Sequence, residues 1–247
     1  MVLLSHETWT PPALDTAISA TLLTRADSEG LATVRLFVPE RAVVFGRQDS
    51  VRPRFATAVA AARAAGFAPV LRLAGGRAAV FHEGTVAVSI AEPTPHPREE
   101  IRKRFIAVAG VIATALQSLG ADARIGEVPG EYCPGDYSVN VRGTHKVAGL
   151  GQRLRRGGAH VGGVVVVDDA EAINAVLVPV YDALEYDWNP GATGDLGSSV
   201  TPATVIEAIV AALGEAGWRL TPGTIANEVV ADARTRLGDH ELTDRVA

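Results

Sequence analysis

Apolar positions along the chain follow helical spacing in some stretches and strand-like runs in others. Leu14, Ile18 and Leu22 stand four apart behind Thr10-Pro11-Pro12, a helix-start signal, and predict a helix reaching about Arg25. Residues 33–38 and 42–45 are short β-rich runs, 55–65 an Ala-rich helix closed by Gly66, and 69–73 a further strand. Residues 78–81 and 85–90 read as the arms of a hairpin, followed by the Pro-rich loop AEPTPHP. The clearest amphipathic helix comes next: Ile101, Phe105, Val108, Ile112, Leu116 and Leu119 share one face up to Gly120.

Tyr137, Val139 and Val141 alternate, Arg142-Gly143 makes a turn, and 145–150 returns, which predicts a second hairpin. Residues 164–167 form a buried-type strand. Thr201-Pro202 and Thr221-Pro222 each signal a helix start, with Val205, Ile206, Ile209, Val210 and Leu213 lining one helix and Ile225, Val229 and Leu237 the other. No internal repeat is visible. The pattern predicts an α+β fold, a mixed, mostly antiparallel sheet flanked by helices.

Composition narrows the classes. At 247 residues, with 47% hydrophobic and 21% charged positions, the chain can bury a sizeable core, and a disordered or fibrous chain is excluded. A net charge of −5 argues against a broad nucleic-acid surface. The apolar start MVLL is too short for a membrane span, so the expectation is a cytoplasmic protein with no membrane partner. Of the 23 basic residues only Lys103 and Lys146 are lysines, and a lysine kept in so Arg-rich a chain points to a place where a compact ammonium is needed.

Three segments could carry chemistry. In R-L-A-G-G-R-A-A-V-F-H-E-G, residues 72–84, Gly75 and Gly76 could bring backbone N–H groups close to a ligand, although paired glycines between strands are commonly an ordinary turn. The spacing fits neither a P-loop nor a dinucleotide fingerprint. In G-E-Y-C-P-G-D-Y, residues 130–137, Cys133 is the only cysteine and reads as a loop residue, open to reactivity but equally to a bland role. In T-H-K-V-A-G-L-G-Q, residues 144–152, Lys146 adjoins a Gly-rich turn, and Arg153, Arg155 and Arg156 follow. A solvated hairpin lysine is the alternative. Brought together, Cys133 and Lys146 would form a stronger pair, because an adjacent ammonium favours a thiolate and can polarise a carbonyl. His82, His145 and His160 could each serve the thiol as a base, and no metal-site pattern is present.

Taken in order, R-x-x-G-G-R-A-A-V-F-H-E-G, E-Y-C-P-G-D-Y-S-V and H-K-V-A-G-L-G-Q-R resemble the lipoate-protein ligase and octanoyltransferase family, related in fold to the biotin-protein ligases. The resemblance runs from about Pro11 to Asp195. It implies a single catalytic domain over 1–247 with 198–247 as a C-terminal helical extension. It also implies an acyltransferase that moves an octanoyl or lipoyl group onto the lysine of lipoyl domains through a Cys133 thioester. Cys133 matches the nucleophile and Lys146 the motif lysine. Arg72, Gly75, Gly76 and His82 match the first loop of the acyl pocket, with Arg77 where ligases usually continue with Gly, and Gly149 and Gln152 match the stretch after the lysine. Implied partners are lipoyl domains, such as the glycine cleavage H protein and E2 subunits, or an acyl carrier protein. No cofactor is implied for transfer. ATP and Mg would enter only for the alternative, an ATP-dependent lipoate ligase; a non-catalytic acyl- or lipoyl-domain-binding module is the third reading.

Overall fold

The computed structural model describes residues 2–243. Its larger sheet has eight strands in the order β11-β1-β2-β6-β10-β9-β8-β7, and its smaller sheet has three, β4-β3-β5. The strands of the larger sheet are β1 (Val2–Ser5), β2 (Thr33–Phe37), β6 (Thr85–Pro93), β7 (Ala123–Ile125), β8 (Val139–Val141), β9 (His145–Leu154), β10 (Gly158–Val166) and β11 (Leu220–Pro222). Those of the smaller are β3 (Ala42–Phe45), β4 (Ala68–Leu71) and β5 (Ala79–Phe81). Only β11–β1, β1–β2 and β3–β4 pair in parallel. The mixed, mostly antiparallel architecture expected from the pattern is therefore present.

Strand alternation divides the side chains of the larger sheet. Val86, Val88, Ile90, Val161 and Val165 join the core formed with α3 (Ile101–Ser118) and α5 (Pro202–Glu215). On the opposite face Ser89, His160 and Gly162 lie toward α1 (Pro12–Glu29), which contacts β6 and β10. A second core joins the smaller sheet to α2 (Phe55–Ala64) and α4 (Ala170–Leu184), and a third joins α1 to α6 (Asn227–Thr235). No helix among the described residues is long and apolar enough to cross a membrane.

Two expectations need correction, and one helix was not expected. Residues 78–81 and 85–90 do not pair with each other: β5 joins β3 in the smaller sheet, whereas β6 lies between β2 and β10 in the larger. The short link His82-Glu83-Gly84 thus crosses between sheets, with Gly84 N–H donating to His82 Nδ1 at 3.0 Å. Thr221-Pro222 does not begin a helix but belongs to β11, and α6 starts at Asn227. Helix α4 is absent from the expected elements and carries Pro179 in its interior; Asp169 caps it, accepting from Ala172 N–H at 3.0 Å. Of the segment 198–247, the last four residues lie outside the described ones.

Candidate active site

Cys133 sits in the loop between β7 and β8 with φ +42°, a left-handed conformation rare for a side chain of this kind. Four contacts hold it there. Its N–H donates to Tyr181 Oη at 3.0 Å, and Tyr181 in turn donates to Ala78 C=O at 2.9 Å, so a residue of α4 ties the cysteine loop to the glycine loop. Burial pushes the Tyr181 hydroxyl well above its ordinary range, which keeps the proton that this bridge requires. Cys133 C=O accepts from Lys146 Nζ at 2.8 Å, and Sγ accepts from Arg77 N–H at 3.1 Å. Arg72 Nη1 stands 3.9 Å from the same sulfur. Backbone N–H and guanidinium are thus aimed at the atom that would carry charge.

Gly76 makes this approach possible. With φ +119°, it would place a Cβ 2.9 Å from Cys133 Sγ and 2.7 Å from Arg72 Nη1.

Lys146 is 1% exposed, so the solvated hairpin lysine is excluded. All three of its protons are spoken for: Glu131 Oε1 at 2.9 Å, Tyr132 C=O at 2.9 Å and Cys133 C=O at 2.8 Å. Glu131 is itself buried and accepts from Val128 N–H, Gly135 N–H and Ser138 Oγ as well. Lys146 therefore grips the backbone beneath the thiol, and no hydrogen bond joins its ammonium to Sγ. Gly149 leaves room for it, since a Cβ there would lie 3.1 Å from Lys146 Cε. Glu131 and Tyr181 were not singled out from the sequence. A lone Glu three residues before a Pro-Gly turn, and a Tyr on an unassigned helix, gave no signal beyond their types.

The thiol borders a cavity of about 620 Å³ lined largely by apolar groups, among them Phe37, Val44, Ala79, Phe81, Phe105 and Val164. Arg72, Gly75, Gly76, Lys146, Gly149 and Gln152 also line it. Gln152 does so with its side chain turned to α3, accepting from Arg104 Nε at 3.0 Å and donating to Ile101 C=O at 2.8 Å.

Two of the expected binding residues fall elsewhere. His82 is 3% exposed, is absent from the cavity wall and accepts from Gly84 N–H; burial pushes its imidazole down, toward the neutral form. Arg77 contributes its N–H to the sulfur, but its guanidinium lies 4.4 Å from the Tyr186 ring centroid, outside the cavity. None of the three candidate histidine bases touches Cys133 Sγ: His145 bonds Thr144, and His160 bonds Ser89. In the cluster after β9, Arg155 is held by Asp27. No group of three or more His, Cys, Asp or Glu side chains among the described residues could hold a metal ion.

Comparisons with known proteins bear on the family and the fold. Octanoyl-GcvH:protein N-octanoyltransferase of Geobacillus kaustophilus is 35% identical over 147 residues, which cover 60% of this chain and 52% of that protein; the chain thus spans about half the length of the curated relative it matches. Among solved structures, a T. acidophilum protein described as a lipoate protein ligase gives a TM-score of 0.78 at 19% identity, covering 99% of this chain and 97% of that one. Lipoate-protein ligase A bound with ATP gives 0.76 at 17% identity, covering 96% and 94%. At such identities the structural likeness is one of fold. The model of the lipoyl protein ligase A/B catalytic domain matches residues 11–190, a stretch that includes the whole cavity wall and Cys133. By that match, over well more than half of its length, the chain belongs to the lipoyl protein ligase A/B catalytic domain family.

Proposed function

We propose that the chain is an acyltransferase that moves an octanoyl or lipoyl group onto a lysine of a lipoyl domain through a thioester on Cys133. The observation that carries this reading is the sulfur itself, at the wall of an apolar cavity and facing Arg77 N–H and the Arg72 guanidinium. In the first half-reaction the Cys133 sulfur attacks the donor's acyl carbonyl. A C–S bond forms, and the donor thiol or amine leaves with the proton given up by the cysteine. In the second, the neutral amine of the acceptor lysine attacks the thioester. An amide forms, the C–S bond breaks, and the sulfur recovers a proton from the amine.

Each half passes through an oxyanion. Arg72 Nη1 and Arg77 N–H face the sulfur to which the acyl carbon would attach, and we assign them the stabilisation of the charge on its oxygen. Cys133 is the nucleophile; Lys146 acts as a positioning residue, because its ammonium is spent on the backbone that aims the thiol. The acyl group arrives already bonded to a carrier, so the reading requires no ATP. The G. kaustophilus relative is named for octanoyl transfer from GcvH to protein, which supports a lipoyl-type carrier as donor. A single catalytic domain fits as well, because Val205, Ile209, Ala212 and Leu213 of α5 share one core with α3 and the larger sheet. A free thiol that must stay reduced favours the cytoplasm.

The test is intact-mass analysis after mixing the protein with an octanoylated lipoyl domain or octanoyl-carrier protein, without ATP. An octanoyl adduct on Cys133, and its loss in Cys133→Ala together with transfer, is the expected result. Wild-type transfer by Cys133→Ala, or modification of the acceptor only when free octanoate and ATP are supplied, would overturn the reading.

A further inference from the structure

The surface beside the thiol carries positive charge that the protein does not neutralise. Arg25, Arg35, Arg41, Arg104, Arg124 and Arg155 each have a carboxylate within ion-pairing distance. Arg47, Arg52, Arg54 and Arg77 have none among the described residues. The first three stand on the loop between β3 and α2, whose sequence R-Q-D-S-V-R-P-R, residues 47–54, holds one acidic residue. That residue, Asp49, is fully buried and turned inward, accepting from Gly46 N–H at 2.6 Å and from Tyr186 Oη at 2.8 Å. Arg47 and Arg54 are exposed, and Val51 between them in sequence is 81% exposed.

This loop is fixed against the site. A Cβ on Gly46 would meet Gly76 C=O at 1.8 Å, so the loop begins in direct contact with the glycine loop. The Arg52 and Arg77 guanidiniums both lie 4.4 Å from the centroid of the Tyr186 ring, and Arg52 Nη2 donates to Glu185 C=O at 3.3 Å. Arg77 N–H is the donor that faces Cys133 Sγ, so only Arg77 and Tyr186 stand between the sulfur and Arg52 in this chain of contacts. Gly75 and Pro134, the neighbours of Gly76 and Cys133, line the cavity and are exposed, which opens its wall beside the thiol. Like charges gathered on one face repel. The Tyr186 ring offsets part of this for Arg52 and Arg77, whereas Arg47 and Arg54 have neither ring nor carboxylate as a partner among the described residues.

We propose that Arg47, Arg52 and Arg54, with the Arg77 guanidinium, form the docking face for an acidic surface of the domain that carries the acyl group. This rests on the acyl-transfer reading given above. A lysine arm is short, so the body of its domain must rest on the residues around the thiol, and on the side of Arg77 these are positive. Complementary charge there would speed encounter and fix the register of the arm more than it deepens affinity. Val51 adds an apolar contact to the same loop. The basic run after β9 is the weaker candidate for this face, because Arg155 is held by Asp27 and only Arg153 and Arg156 are left. A net charge of −5 for the whole chain disfavours a nucleic acid as the occupant.

The experiment compares two donors in the octanoylation of Cys133: an octanoylated lipoyl domain of negative net charge, and the small neutral thioester S-octanoyl-N-acetylcysteamine. In Arg47→Glu/Arg54→Glu, kcat/KM for the domain at low salt should fall at least about tenfold, the lower end of what electrostatic steering supplies. Acylation by the small thioester should stay within about twofold of wild type, since surface changes of this kind leave the site intact. For the wild type, salt at about 1 M, where the screening length is about 3 Å, should slow the domain reaction and spare the small one. Arg153→Glu/Arg156→Glu should change neither reaction by more than about twofold. Melting curves report folding, and if the charge reversal unfolds the protein, Arg47→Gln/Arg54→Gln should show the same split in smaller measure. If the small thioester alone does not react, alkylation of Cys133 by iodoacetamide takes its place as the reaction that needs no docking. An equal loss with both reagents, an unchanged domain reaction, or an equal loss in Arg153→Glu/Arg156→Glu would each overturn the inference. Failure of both donors to acylate wild-type Cys133 would overturn the acyl-transfer reading, and this inference with it.

Discussion

Two buried ion pairs border the same cavity, and they are built to opposite ends. Around Lys146 and Glu131 every proton and nearly every lone pair is used within the protein, two of the ammonium's three bonds falling on the backbone of Tyr132 and Cys133. Around Arg35 and Asp15 the guanidinium is stacked 4.4 Å from the Phe37 ring and 5.0 Å from Trp9, and its hydrogen-bond chain runs through two hydroxyls to an imidazole nitrogen left open. A closed cluster immobilises backbone, which is what the left-handed Cys133 needs to hold its conformation. An open one leaves a bond unmade, at a cost in stability. The difference between them is a difference between a cluster whose bonds all close on one loop and a cluster that ends on an unpaired nitrogen.

The largest test of this contrast is to break the closed pair. Lys146→Met removes the ammonium and leaves Glu131 charged in a site that is 2% exposed, and such half-broken buried pairs typically cost about 3–5 kcal/mol. For a chain of this size that is on the order of a 10 °C fall in melting temperature. Acyl transfer should fall with it, since the Cys133 carbonyl loses its anchor. Lys146→Arg keeps the charge but must fit a planar fork where three acceptors converge on one nitrogen, and it should lose both stability and transfer. Removing both charges together, in Glu131→Leu/Lys146→Met, should recover much of the stability and little of the transfer. Thermal melts and single-turnover acylation check both halves, and full activity in Lys146→Met would remove the positioning role.

The open cluster has a smaller signature, in pH. His160 titrates near 6.5 when unfolded and at about 3 in the folded protein. A depressed pKa contributes stability that is fully present above 6.5 and is lost as pH falls toward 3, because the unfolded chain then binds the extra proton. His82 and His240, which burial also pushes down, act in the same sense. Asp15, which burial pushes up against the pull of Arg35, acts in the opposite one. All three remain in His160→Leu, so the difference between the two proteins isolates His160. The acid limb of denaturant-derived stability between about pH 6.5 and 3 should be shallower in the variant by up to one proton. Parallel limbs would show that His160 is not held neutral by the cluster.

How much of this was legible depended on whether the signal was local. The α3 face from Ile101 to Leu116, the β8–β9 hairpin around Arg142-Gly143, and the three motif segments were all readable, because each is written in the spacing of a few neighbours. The link 82–84 misled because a short connection normally joins paired strands, and here it joins two sheets. Helix α4 has Asp169 at its cap and Ile173, Val176, Leu177, Val180 and Leu184 at helical spacing, and it keeps Pro179 in its interior, where proline ordinarily argues against a helix. At the site, the sequence reading named Cys133 and Lys146 together without knowing the form of their contact. Glu131 could not be found, since its worth comes from four donors brought in by folding, and His160 was visible only as a candidate base for a sulfur it does not bond.

The smallest effect lies on the closed side, at Tyr181. Its hydroxyl accepts from Cys133 N–H and donates to Ala78 C=O, so Tyr181→Phe keeps the packing against Trp188 and Tyr186 and deletes two bonds from one atom. Leaving a buried donor and acceptor unpaired costs about 1–3 kcal/mol, a fall of a few degrees in melting temperature. The effect on chemistry should be separable from that fall. Without the bridge, the cysteine loop and the glycine loop are joined only at the sulfur, through Arg77 N–H and Arg72, and the thiol should wander from the donors that face it. Turnover should then drop several-fold with KM for the acyl donor little changed, because the cavity wall is untouched. Alkylation of Cys133 by iodoacetamide should change in rate in the folded variant, measured well below its melting point. A purely structural tyrosine would lower the melting temperature and leave both the alkylation rate and turnover at wild-type values, and that result would confine the closed cluster to Lys146 and Glu131.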